Sequence, residues 1–360
     1  MQLLRYLGQI LFRVIAFPLA VVYGIVISIR NWLYDARILP THRLPCVIVS
    51  VGNLTLGGSG KTPFAMYLIE WLRSRGISVA YLSRGYGRKT KGFHEVSLFS
   101  PHATESFGDE AFLIKTRYTD IPVAVCENRV QGAKELLKRY PNLQVIILDD
   151  AYQHRRIHRD LNLLVIDMQR PIWEDWLFPL GRLREPLRAY KRADWLILNR
   201  KTGSQPTEKR RWRKPTLVFE YRVERLIPAD DSHPALDIEA LHHRSALAFC
   251  GIAHPDSFYE TLRQAGVYLV RHISFPDHYA YTSADLLNLR KEFRRYQRQL
   301  GLTDALLLTT EKDLIRLRGL NLLGMLNELP LYAVQIAMKP HNPSEAEALL
   351  HRFFGNLIRP

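Results

Sequence analysis

The sequence predicts an α/β protein: a doubly wound parallel sheet, a second and smaller α/β unit after it, and a membrane-associated helix at the amino terminus. Three observations carry this. After Pro45, short and nearly all-apolar runs alternate with amphipathic stretches, the pattern of strands covered on both faces by crossover helices. One of those runs feeds a glycine-rich turn within Val47–Pro63. Residues 14–29 carry no charge at all.

At 360 residues the chain has room for two domains of roughly 150 each plus a terminal element. Charged residues are 24% and hydrophobic ones 47%, a balance that excludes a disordered, collagenous or disulfide-scaffold protein. The net charge of +15 suits an anionic partner. The three cysteines, Cys46, Cys126 and Cys250, each lie in or beside an apolar run and read as reduced, buried thiols.

The amino-terminal run is flanked by Arg13 and Arg30. Sixteen helical residues reach about 24 Å, short of a ~30 Å hydrocarbon core, so spanning and lying in the interface both stay open. Arg30-Asn31-Trp32 comes next, where a secretory signal would need small residues. Trp32 and Tyr34 are interfacial residue types, and residues 1–45 carry five Arg against one Asp, which favours a cytoplasmic position for the adjoining domain. The expected organisation is a membrane-associated segment at 1–40, a nucleotide-binding domain at 41–221, a linker at 222–244 and a second α/β domain at 245–360, its last residues free to pack back on the first. The basic run 200–214 reads as a solvated loop rather than a nucleic-acid patch, because a single Trp interrupts it.

The strands of the first domain are expected at Val47–Val51, Val79–Leu82, Val123–Cys126, Val145–Leu148, Leu163–Ile166 and Trp195–Leu198, with helices at 64–75 and 128–139 between them. The second set begins at Ala246–Cys250 and continues through a helix at 256–265 and a strand at Ala305–Leu308. The sharpest signal is the loop Thr55-Leu56-Gly57-Gly58-Ser59-Gly60-Lys61-Thr62. Its glycines let successive N–H groups converge on a phosphate, and the helix after it adds its dipole. Lys61 supplies a point charge to the β- and γ-phosphates, and the Thr62 hydroxyl is placed for Mg²⁺. Thr55 stands where the usual pattern has glycine. Strand, loop and helix together make the first domain P-loop NTPase-like.

The partner motif is the apolar run Val145–Leu148 closing on Asp149 and Asp150. At the carboxyl end of a parallel strand one of the pair can hold Mg²⁺. Two further clusters lie outside these motifs. Asp109 and Glu110 head a helix, where acidic residues are ordinarily dipole and capping chemistry. His278 sits in Phe275–Tyr279, where a lone histidine is ordinarily structural.

The chain resembles the tetraacyldisaccharide 4′-kinase family. The resemblance rests on the loop at 52–63, SRGYGRK at 83–89, GDE at 108–110, DDAYQH at 149–154, FPLGRLREP at 178–186, FPDHYAY at 275–281 and TTEKD at 309–313. The family usually has DDGFQH where this chain has Ala151 and Tyr152. The resemblance implies two α/β/α domains joined by a β-ribbon, with ATP bound between them and Mg²⁺ beside it. It implies that Asp109 is the catalytic base and that His278 assists it from the other domain. The acceptor would be a tetraacyldisaccharide 1-phosphate at the cytoplasmic face of the inner membrane of an outer-membrane-bearing bacterium, without an obligate protein partner. Arg84, Arg88, Arg129, Arg182 and Arg184 are candidates for its phosphate and nearby headgroups, and Glu110, Gln153, His154 and Glu185 for the rest of the acceptor side. The competing reading is a membrane-docked P-loop ATPase switch. Such switches carry a second lysine early in the loop, which is absent here before Lys61. A nucleic-acid binder would need a reading module that the sequence lacks.

Overall fold

A computed structural model describes residues 2–100, 102–200, 213–230, 233–301, 304–320 and 322–358. The basic run expected as a loop, 200–214, therefore lies mostly outside the described residues.

The first half builds helix α1 (Gln2–Asp35), strand β1 (Val47–Gly52), α2 (Lys61–Arg73), β2 (Val79–Ser83), β3 (His94–Glu95), α3 (Ala103–Phe107), α4 (Asp109–Arg117), β4 (Val123–Val125), α5 (Arg129–Arg139), β5 (Val145–Asp149), β6 (Leu161–Asp167) and β7 (Trp195–Arg200). The second half continues with β8 (Thr216–Pro228), β9 (Leu236–Asp237), β10 (Ser245–Cys250), α6 (Pro255–Gln264), β11 (Tyr268–Ser274), α7 (Ser283–Gln299), β12 (Leu306–Thr310), α8 (Glu311–Gly319), β13 (Leu331–Pro340) and α9 (Pro343–Ile358).

The strands form one 13-stranded sheet in the order β11-β10-β12-β13-β8-β7-β6-β1-β5-β2-β4-β3, with β9 paired to β8. Two parallel sets meet at the antiparallel pair β13–β8, and β8 is parallel to β7 on its other side. Each set is covered on both faces. Val49, Val51, Phe64 and Ile147 pack on one side of the first set, while Ile48, Leu82, Ile146 and Leu148 pack on the other. Alternate residues of the same strands thus enter opposite cores, and this requires strands as uniformly apolar as VIVSVG and VIILD. The second set repeats the arrangement around Ala248 and Leu308 on one face and Phe249 and Leu307 on the other.

The segment expected as a linker, 222–244, begins inside β8, a strand of 13 residues. Its first half alternates buried and half-buried residues, and pairing to β7 and β13 in turn carries the hydrogen bonding from one parallel set to the other. The carboxyl-terminal α9 returns to the first half, where Phe354 lies in the same core as Trp71 and the Trp71 indole donates to Glu347 at 2.7 Å.

Helix α1 is longer than the charge-free run that announced it. The stretch Arg13–Asp35 has a mean hydropathy of 1.8 and is long and apolar enough to cross a membrane. One face docks on the protein: Ala16, Ala20 and Asn31 are buried, the Tyr23 hydroxyl donates to Arg184 O at 2.7 Å, and Arg30 donates to Gln153 O at 2.9 Å. The opposite face leaves Val14, Phe17, Val22, Ile25, Ile29 and Trp32 exposed. Of the cysteines, Cys126 and Cys250 are buried and Cys46 half-buried, all as free thiols.

Candidate active site

β1 delivers the chain into the glycine-rich loop at the carboxyl end of the sheet. Gly57 and Gly60 take φ values of +99° and +93°, a region that side chains disfavour. A Cβ at Gly60 would also run into Asn199 Nδ2 and lie 2.7 Å from the Tyr221 hydroxyl. Asn199 in turn donates to Ser59 O at 2.9 Å and reaches Tyr221 at 3.2 Å. The loop is therefore buttressed by the end of β7 and by β8, two supports that no motif announced. Asn199 had the same signal as Asp149, a polar residue closing an apolar parallel strand; Tyr221 had none. Not every expected loop donor faces the cradle, since the Leu56 N–H is given to Arg182 O at 2.8 Å and Thr55 bridges to Leu183.

The carboxylate pair lies directly beside the loop. Thr62 Oγ1 donates to Asp149 Oδ2 at 2.9 Å, and the Tyr81 hydroxyl donates to the same oxygen at 2.7 Å. Burial, reinforced by the charge of Glu110, pushes the Asp149 carboxyl up to about 6. Asp150 adopts a left-handed φ of +46°, a strained backbone of the sort that collects at functional sites. It pairs with Lys61 at 3.4 Å and with Arg184 at 2.9 Å. Burial opposes its ionisation, but those two cations hold it down at about 2. A hydroxyl and buried carboxylate oxygens form a hard-oxygen donor set that fits Mg²⁺, an ion usually held by one or two carboxylates together with substrate phosphates. Among the described residues no group of three or more His, Cys, Asp or Glu could enclose a metal, so the phosphates would have to complete the coordination.

A second cluster forms where α4 meets α8. His278 Nδ1 lies 3.1 Å from Asp109 Oδ2, and His278 too has a left-handed φ, +55°. Arg316 donates to Asp109 Oδ2 through Nε at 2.7 Å. Burial works against the Asp109 anion, yet the contacts to His278 and Arg316 outweigh it and hold the carboxyl below its ordinary value. Glu110 pairs with Lys312 at 2.8 Å, and that cation, against the cost of burial, keeps Glu110 ionised. Gly108 lets this helix start lie on the 83–89 loop, since a Cβ there would meet Tyr86 O at 2.7 Å.

The expected acceptor-side residues separate in space. Arg84 is exposed. Arg184 is tied to Asp150, and Gln153 donates to Asn53 O at 2.9 Å. His154 is half-buried; desolvation and the nearby Arg129 charge take it down to about 4, so the ring is neutral at pH 7. Arg129 and Glu185 are buried, and their partners are structural. Arg129 donates to Cys126 O and Asp149 O, while Glu185 accepts from Asn31 of α1 at 3.1 Å and from Arg192 at 2.6 Å. Arg88 is spent on Glu127 at 2.6 Å and Arg182 on Asp175 at 2.8 Å. Sequence pattern alone passed over Arg316 and gave Lys312 no role, although both stand on the helix opened by TTEKD.

A glycine-rich loop entering a helix, a hydroxyl–carboxylate pair beside it and a separate Asp–His pair define a P-loop protein of the phosphotransferase kind. Its sequence matches the LpxK family, tetraacyldisaccharide-1-P 4′-kinase, over residues 12–354. It is 37% identical over 313 residues to the tetraacyldisaccharide 4′-kinase of Chlorobaculum parvum, with 83% of each chain covered. It is 35% identical over 334 residues to that of Chlorobium limicola, covering 89% of this chain and 92% of the other. The crystal structure of LpxK from Aquifex aeolicus in complex with ATP superposes with a TM-score of 0.74 at 33% identity, over 95% of this chain and 99% of that one. The chain belongs to the tetraacyldisaccharide 4′-kinase family.

Proposed function

We propose that this protein transfers the γ-phosphate of ATP to the 4′-hydroxyl of a tetraacyldisaccharide 1-phosphate, giving the 1,4′-bisphosphate lipid A precursor. The observation that carries this reading is the Asp109–His278 pair, 3.1 Å apart and separate from the nucleotide motifs. An ATPase switch needs no second carboxylate of that kind, whereas a sugar hydroxyl is a poor nucleophile and needs a base. A positioned carboxylate contributes about 10²–10⁴-fold. In the reaction the acceptor O–H bond breaks, its proton passes to Asp109, the new O–P bond forms and the bond to the β-phosphate breaks.

The backbone from Gly57 to Thr62 would cradle the phosphates, and Lys61 would exchange its partner Asp150 for their charge. Thr62 and Asp149, with Asp150 beside them, would hold Mg²⁺, which when bound neutralises charge on the β- and γ-phosphates. Arg84 and His154 would face the acceptor, with Arg184, Gln153 and Glu185 holding the wall against which it rests. The domains would divide at the β8–β13 ribbon, the halves 41–221 and 245–360 closing on the nucleotide.

The exposed apolar face of α1 would hold the enzyme at the cytoplasmic face of the inner membrane. Exposed Phe178 lies beside it, its ring 6.0 Å from Tyr23, as an aromatic residue at a headgroup layer would. The test is label transfer from γ-labelled ATP in detergent micelles with and without the disaccharide 1-phosphate. Label on the lipid in wild type and none with Lys61→Ala is the expected result. Free phosphate released regardless of lipid would make the protein an ATPase switch.

A further inference from the structure

Every side-chain hydrogen bond and ion pair to the Asp109 carboxylate among the described residues falls on one oxygen. His278 Nδ1 approaches Oδ2 at 3.1 Å, and Arg316 reaches the same atom through Nε and Nη2, each at 2.7 Å. Arg316 does not arrive as a loose surface cation. Its side chain is 7% exposed, and Nη1 donates to Gly251 O at 2.7 Å and to Asp313 Oδ1 at 3.0 Å. Asp313 is itself fully buried and is fixed by Thr310 Oγ1 at 2.6 Å and Gly251 N at 3.1 Å. A Cβ at Gly251 would lie 3.2 Å from Asp313 Oδ1, so the glycine permits the close packing. The guanidinium fork is thus locked on one side into the second parallel set and presents its other edge to a carboxylate from the first.

We propose that Arg316 is the positioning residue of the transfer: by occupying Oδ2 of Asp109 it leaves Oδ1 as the oxygen that takes the acceptor proton. This rests on the kinase reading above. The fork also serves His278. Nη2 lies 3.2 Å from His278 Nδ1, and an arginine N–H only donates. With Nδ1 protonated the ring donates to Asp109; with Nδ1 bare it accepts from Arg316. The ring keeps a partner in either state, and a carboxylate fixed on one oxygen presents the other at a set angle, where about 1 Å of misplacement can cost 10²-fold.

The charged and titratable groups around Asp109 are Glu110 on its own helix, Lys312, Asp313 and Arg316 from α8, Asp277 and His278 from the 275–281 loop, and Tyr86 from the 83–89 loop. Of these Arg316 is the cation in direct contact with the carboxylate. Removing it should lift the Asp109 titration, because an adjacent guanidinium favours the ionised carboxylate.

The experiment is the pH dependence of kcat for lipid phosphorylation by the full-length enzyme, with ATP affinity and melting temperature measured alongside. Arg316→Gln is expected to lower kcat by about 10²-fold, to leave KM for ATP within about twofold, and to move the acid limb of kcat to higher pH. Arg316→Lys keeps the charge and loses the fork, so its kcat should fall while its acid limb stays near that of wild type; it also carries the test if the glutamine variant does not fold. Near-wild-type kcat in either variant overturns the proposal, as does a slow Arg316→Gln whose acid limb has not moved, and so does loss of the fold in both. A wild-type enzyme that leaves the lipid unlabelled would instead strike down the kinase reading itself.

Discussion

The Thr62 hydroxyl donates to Asp149 Oδ2 across 2.9 Å, joining the first turn of α2 to the last residue of β5. The contact is a consequence of the sheet, because β1 and β5 are paired in parallel with Val51 opposite Asp149. The strand that enters the phosphate loop and the strand that ends in the carboxylates therefore finish side by side. Asp149→Asn keeps the shape and removes the charge. It should lower kcat by about 10²-fold or more and raise the Mg²⁺ concentration needed for half-maximal rate. Single-turnover transfer across a Mg²⁺ titration checks this, and an unchanged Mg²⁺ requirement would remove Asp149 from the metal site.

Asp109→Ala should cost about 10²–10⁴-fold in kcat while ATP binds nearly as in wild type, because the residue touches α8 and the 275–281 loop rather than the glycine-rich loop. Equilibrium binding of a fluorescent ATP analogue, set beside turnover, separates the two. Loss of nucleotide binding would make Asp109 a folding or nucleotide-site residue. The held-down Asp109 carboxyl also fixes a sign. It stays ionised as pH falls toward the ordinary carboxylate value of about 3.9, so the acid limb of kcat that Asp109 sets in wild type is expected below that value.

Local pattern determines what is legible in a sequence. The nearly all-apolar strands β1 and β5 had to be buried on both faces, and the glycines of 57–60 had to open a turn between strand and helix, two of them at positive φ, so that corner of the fold was legible residue by residue. Asp109 was not, on chemistry alone: an acidic pair at a helix start looks the same whether it caps or catalyses, and only a resemblance to a known family picked it out. Arg316 was invisible because its meaning lies in a contact across 207 positions of chain, which no local pattern encodes. The strand character of β8 beyond Tyr221 was hidden for a related reason. Its half TLVFEY reads as a strand, but RVERLIP mixes arginine and glutamate with apolar residues; Glu224 pairs with Arg117 and Lys339 and Arg225 donates to Gln335, partners that lie far away in sequence.

Gly60→Ala should abolish nucleotide binding while the fold survives. The position combines φ of +93° with a crowded neighbourhood of Asn199 and Tyr221, so even a methyl displaces either the loop or its buttress. Tyr221→Phe relieves part of the crowding and is expected to restore some affinity to the double variant, though not to wild type, because the backbone strain at residue 60 remains. Calorimetric titration of ATP into the three variants reads the outcome. Wild-type affinity in Gly60→Ala would mean that the loop is free to rearrange around residue 60.

Glu311 gives a prediction about stability rather than turnover. It opens α8 in a pocket with Arg117 at 3.7 Å, but Arg117 is shared with Glu224 at 2.5 Å and Glu70 at 3.4 Å. Burial therefore dominates and pushes the Glu311 carboxyl up to about 7, against the pull of Arg117. In the unfolded chain the same group releases its proton near ~4.3. Between those values the folded state binds more protons than the unfolded one, so this residue's contribution to stability is greatest at low pH and declines as pH rises through that window. Glutamine has no proton to lose, and Arg117 keeps its other two carboxylates. Glu311→Gln should therefore melt a few degrees above wild type at pH 8, with the gap closing toward pH 4.5. Melting temperatures at the two pH values test the sign, and a gap equal at both would mean that Glu311 is already ionised in the folded protein.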